Sequence, residues 1–177
     1  MSIPFRTFAA TAGSVLAITA CSTADDLGPA ADPPFCIDLK GAGQTEGTIH
    51  RLRGNGEFTF GDQLRPAFVA LYIFEMKDAE NGGKRAHLNY QFIWDGESFL
   101  TADDVFLEHI LEEDTFRFNV NMTIIAASGR FTELIGKEPV TLDATLRLGP
   151  PSEPGNPPAA HEQFTINGRL CGDAWRP

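Results

Sequence analysis

The sequence predicts an all-β domain of about eight antiparallel strands closed into a small barrel. Two observations carry the prediction. Apolar residues recur at every second position over much of the chain, and no helix longer than two turns can be drawn. A third sets the scale: with 177 residues, 42% of them hydrophobic and 14 Phe, the chain can bury one ordinary core and is short for two.

Taken in order, 47–52 and 57–60 are short strand candidates. Residues 68–76 form a strand that is apolar on both faces, with Phe68, Tyr72 and Phe74 on one and Val69, Leu71 and Ile73 on the other. Such a strand is covered twice, by the core and by something else. Residues 77–85 contain Asn81-Gly82-Gly83, which tolerate positive φ, so they turn a hairpin into the next strand, 86–94. A strand over 104–112 returns after Glu113-Asp114 as 115–125. There Phe116, Phe118, Val120, Met122 and Ile124 alternate with Thr115, Arg117, Asn119, Asn121 and Thr123. Strand 140–148 repeats the pattern. Residues 149–160, with five Pro and two Gly, make a long surface loop before the last strand, 164–170. Closing these strands into a barrel removes the exposed edges of a flat sheet, and a sandwich is the rival arrangement.

The N-terminus carries an address. Residues 1–20 read as a signal segment, with Arg6 as its positive region and an apolar run over 8–20 too short to cross a bilayer. It ends Ile18-Thr19-Ala20-Cys21, which resembles the lipobox of bacterial lipoproteins. That resemblance implies cleavage before Cys21, acylation of Cys21, and a membrane partner reached through the lipid. Ser22 follows where the enterobacterial sorting pattern uses Asp for inner-membrane retention, which favours the outer membrane, facing the periplasm. Residues 21–34 are rich in Ala, Asp and Pro and read as a flexible tether. The single folded domain spans 35–177.

In an exported, oxidising compartment the two other cysteines, Cys36 and Cys171, pair as a disulfide joining the two ends of the domain. No metal site is expected. There is no C-x-x-C, and His50, His87, His109 and His161 are scattered.

Residues 127–136, Ala-Ser-Gly-Arg-Phe-Thr-Glu-Leu-Ile-Gly, separate two of the best strands. This segment resembles the G-R-F-x-x-x-x-G turn of bacterial proteins similar to allene oxide cyclases and plant dirigent proteins. The resemblance implies an eight-stranded barrel with an apolar cavity, and it assigns no catalytic residue here. Independently of it, Gly129 and Gly136 permit a tight turn, and Phe131, Leu134 and Ile135 can plug one barrel end.

Chemistry is less legible. With 14 Lys plus Arg against 24 Asp plus Glu, the net charge is −10, so nucleic-acid binding is not expected. No G-x-S-x-G, H-E-x-x-H or P-loop occurs. Gly41, Gly43 and Gly47 miss a dinucleotide fingerprint by one residue and read as a flexible lead-in. Between Asp103 and Asp114 six acids stand without a base, which reads as a solvated acidic face. Arg117, Asn119, Asn121, Asp143, Arg147, Asn167 and Arg169 make polar outer faces on which Asp143 can pair with a cross-strand Arg.

Alternation places a few ring-bearing polar residues inside. His109 shares a face with Val105, Leu107 and Leu111, Tyr90 with Leu88, Phe92 and Trp94, and Tyr72 with Phe68 and Phe74. Together with Phe116 and Phe118 they could line a pocket for a small apolar ligand. Three functions follow. The first is an envelope lipoprotein whose calycin-like barrel binds such a ligand at Tyr72, Tyr90, Phe92, His109, Phe116 and Phe118. The second is an isomerase or cyclase of the allene oxide cyclase kind, with His109 as its only acid–base candidate. The third is a protein-interaction module for an envelope partner, with a filled barrel and a conspicuous outer patch. None of the three calls for a cofactor.

Overall fold

The structure is a computed structural model that describes residues 33–79, 82–110 and 114–177. The expected signal segment, Cys21 and all but the end of the expected tether lie outside the described residues, as do Glu80, Asn81, Leu111, Glu112 and Glu113.

Ten strands follow one another: β1 (Cys36–Thr48), β2 (Arg51–Phe60), β3 (Gln63–Asp78), β4 (Lys84–Trp94), β5 (Glu97–Thr101), β6 (Asp103–Ile110), β7 (Thr115–Met122), β8 (Ile124–Ser128), β9 (Val140–Pro151) and β10 (Pro158–Cys171). The pairings run β1–β2–β3–β4–β6–β7–β9–β10 and return to β1, a barrel-like ring of eight antiparallel strands in one sheet. The other two strands are extensions. β5 continues into β6 through Ala102, β7 into β8 through Thr123, and the long β4 pairs with both β5 and β6. The two breaks lie side by side. Ala102 N donates to Thr123 O over 3.2 Å, and Thr123 N donates to Asp103 Oδ1 over 2.8 Å. A carboxylate thus takes the place of a carbonyl in the ladder. The bond to Oδ1 goes with an Asp103 that is 5% exposed, off the solvated face expected for it.

β1 departs from the expected lead-in. Residues 41–47 are strand, and the turn falls at Ile49 and His50, inside the expected strand 47–52. The glycines of β1 are not there for flexibility. A Cβ at Gly41 would stand 2.2 Å from Phe58 Cδ1, and one at Gly43 2.5 Å from Phe164 Cζ. The two rings lie flat on a wall stripped of side chains, which lets large aromatics fill the interior from that side. Hairpins that looked long are short. β9 and β10 extend to Pro151 and from Pro158, leaving little of the 149–160 loop.

The expected plug is present. A 3₁₀ turn, Gly129–Leu134, buries Phe131 and Leu134, while Ile135 stays in solvent. Phe131 packs 5.0 Å from Trp94, 5.1 Å from Phe99 and 5.2 Å from Trp175, so the aromatic packing runs without a gap from mid-ring to this end. Cys36 and Cys171 face each other across the β1–β10 ladder and are bonded, closing a separation of 135 residues.

Candidate functional site

Around Phe58, Tyr90, Phe92 and Glu162 the interior is filled. Phe58, Tyr90, Phe92 and Glu162 are each 0% exposed, so no space as large as a water molecule touches them. Two hollows, of about 970 and 1290 Å³, lie elsewhere, and neither is lined by Tyr90, Phe92, Phe116 or Phe118.

The six residues expected around a pocket are therefore not brought together as one site. Tyr90, Phe92, Phe116 and Phe118 do point inward and are buried, but against other side chains. Tyr72 points outward with Phe68, because β3 turns Val69, Leu71 and Ile73 to the core, and the Arg51 guanidinium lies 5.7 Å from its ring centre. His109 has the inward parity of Val105 and Leu107, yet it is exposed. It lies towards the end of the described part of β6, with its ring 5.3 Å from that of Phe116. Its register is as expected and its depth is not.

One interior cluster escaped the sequence reading. Glu162 on β10 accepts the Tyr90 phenol proton on Oε1 and the Thr45 hydroxyl, 2.8 Å away, on Oε2. β10 and β4 stand half-way round the ring from each other, so this contact crosses the barrel. Burial lifts the Glu162 carboxyl to about 7 and raises the Tyr90 phenol, which the nearby Glu162 charge raises further. Burial also raises Asp103. The signal was available: carried back from Phe164, alternation puts Ala160 and Glu162 on the core face. Both carboxyl oxygens of Glu162 are held inside the core.

At the plugged end, Glu97 accepts from Arg130 Nε at 2.7 Å and from Arg65 Nη1 at 2.5 Å. These bonds, that of Arg130 first, hold its carboxyl down at about 2. Arg130 also lies 4.7 Å over the Trp175 ring.

The outside of the ring has two unlike walls. Across β3, β4, β6 and β8 large apolar side chains stand in solvent, and Leu100 on β5 is half-buried beside them. Phe68 faces Ile93 across the ladder, Leu100 lies opposite Gln91 and Phe106 opposite Arg85. Phe74 sits on a bulge of β3 at 63% exposure, Phe106 is at 47%, and Ile125 projects from a bulge in β8. This is the second face of strand 68–76 that expected a cover, and among the described residues nothing covers it. The opposite wall, over β7, β9, β10, β1 and β2, is polar. Asp143 there accepts from Asn119 Nδ2 at 2.7 Å, where a cross-strand Arg was expected, because register sets Asn119 directly opposite it.

The described residues thus form a barrel-like ring of eight strands with one plugged end and large apolar side chains exposed on one outer wall. No family model matches the sequence, and no curated protein or solved structure matches it either.

Proposed function

We propose that this chain is an interaction module of the bacterial cell envelope, held by a lipid on Cys21, whose apolar β3–β4–β6 wall docks a partner protein. The observation that carries the reading is the pairing of a filled interior with exposed Phe68, Phe74, Ile93 and Phe106 on one wall. Large apolar side chains grouped in solvent on one wall are what a binding surface needs. A filled ring offers no volume to an apolar ligand, and His109 is exposed rather than enclosed by the core. The readings that depend on a cavity are therefore the weaker ones. The ring of eight strands and the Gly129 to Gly136 turn support a resemblance to allene oxide cyclase-like and dirigent-like barrels in architecture. The anchor rests on the Ile18-Thr19-Ala20-Cys21 sequence.

In-cell photo-crosslinking tests this. Benzoylphenylalanine at position 74 or 106 should yield one discrete heavier adduct in the membrane fraction, and the same label at position 165 should not. Phe68→Asp together with Ile93→Asp should abolish the adduct without unfolding the chain, since both side chains are exposed. Cys21→Ala should move the chain to the soluble fraction. Adducts formed equally from both walls, or none at all, would contradict the docking wall, and a Cys21→Ala chain retained in the membrane would contradict the anchor.

A further inference from the structure

On the wall opposite the apolar one, a groove of about 970 Å³ crosses the strands between Arg117 on β7 and Pro66 on β3. Register explains its line. Arg117, Thr145, Gln163, Gln44 and Asn55 are successive cross-strand neighbours, and Asp143, Thr165, Ala42 and Glu57 make the parallel row beside them. Six strands at the usual spacing give the groove a length of about 24 Å. Its centre is shallow-sided because Ala42 and Thr165 are small, and Phe164 beneath them is buried rather than offered to a ligand.

Five of the lining residues, Gln44, Asn55, Thr145, Gln163 and Thr165, carry a carboxamide or a hydroxyl, and each of these groups both donates and accepts. Among the described residues, Gln44, Asn55, Gln163 and Arg117 have no side-chain hydrogen bond of their own. Arg117 is the only cation and is outnumbered by Asp143 and Glu57, on a chain of net charge −10, so an anionic polymer is disfavoured. The exposed apolar side chains along it are the small Ala42 and Pro66, so a large apolar ligand has little to bury against. A peptide strand cannot add to the sheet either, because β1, β2, β9 and β10 are paired on both sides.

We propose that this groove binds a neutral polyhydroxylated chain, an oligosaccharide of several sugar units, held by side-chain hydrogen bonds rather than by stacking. It is a second site, separate from the docking wall.

The test titrates the full chain in detergent with three neutral hexasaccharides, cellohexaose, maltohexaose and the N-acetylglucosamine hexamer, and with hexagalacturonate as the anionic comparison. At least one neutral sugar should bind at millimolar concentrations and hexagalacturonate more weakly than it. The pair Asn55→Ala and Gln163→Ala should weaken the neutral sugar by about tenfold or more, as expected for two lost hydrogen bonds. Thr165→Trp should block the groove by filling its floor, and Phe74→Asp on the far wall should leave sugar binding unchanged. All these side chains are exposed, so a matched melting temperature identifies the folded variants. No binding by any neutral sugar, tighter binding of hexagalacturonate, or binding that survives both groove variants would overturn the proposal. An intact sugar titration with no wall adduct would leave this site standing and remove the docking reading.

Discussion

Tyr90 and Glu162 meet across the width of the ring, so each holds the other's wall in place and neither is free to titrate as it would in water. The folded chain keeps a proton on Glu162 up to about pH 7, while the unfolded chain releases it around 4.5. A folded-state acid with a raised pKa binds more protons than the unfolded chain across that window. Stability contributed here is therefore highest below about pH 4.5, falls as pH rises to 7, and stays low above it. The span is worth roughly 3 kcal/mol. Glu162→Gln keeps an acceptor for the Tyr90 phenol and removes the ionisation. It should melt close to the parent near pH 5 and several degrees above it near pH 8, as read by thermal denaturation at both values. A parent chain that gains stability between pH 5 and 7 would be the wrong sign for this assignment. A buried carboxyl was hard to foresee because Glu usually marks the solvent face. Only its place in the Ala160, Glu162, Phe164, Ile166 alternation signals otherwise.

At the scale of elements, the Gly129 to Gly136 turn shows how a short motif is built. Gly129 has φ of 63°, and a Cβ there would stand 2.6 Å from Glu97 Cγ, so only glycine lets the chain bring Arg130 onto Glu97 and Phe131 into the ring. Because Arg130 and Arg65 depress Glu97, the clamp stabilises the fold above about pH 4.5 and is lost as pH falls towards 2. Arg130→Ala should lower stability at neutral pH by about 1 to 2 kcal/mol. It should also flatten the acid limb between pH 4.5 and 2, measured by urea denaturation along that series. An unchanged midpoint and an unchanged acid limb would remove the clamp. Strands with full alternation, such as β7, β9 and β10, were legible because each buries one face against a single core. β1 was not, since its inward positions are Gly41 and Gly43, where the strand signal is an absence of side chain filled by rings from elsewhere. β5 was hidden by its break at Ala102, which separates it from β6 in pattern though not in space.

For the whole molecule, the disulfide and the β1–β10 ladder join the two ends of the domain, so the ring is held at the seam where a linear chain must meet itself. In the loop-entropy picture, a cross-link over so long a loop stabilises by about 5 kcal/mol. Pairing of Cys36 with Cys171, the all-β architecture and the plugged end could be read from the chain in advance. What fills the ring could not, because alternation assigns a side chain to the inside without fixing how far it reaches. Tyr90 extends to Glu162, and the Phe58 and Phe164 rings occupy the space left by glycines. The same limit misplaced His109, whose parity is inward while its side chain is exposed. The account stands on a ring with no room inside and function carried on its outer walls. Crystals pressurised with xenon test this most directly, because the gas enters apolar cavities of modest size. The account predicts no xenon within the ring. Xenon bound among Tyr90, Phe92, Phe116 and Phe118 would show a cavity there and return the function to the interior.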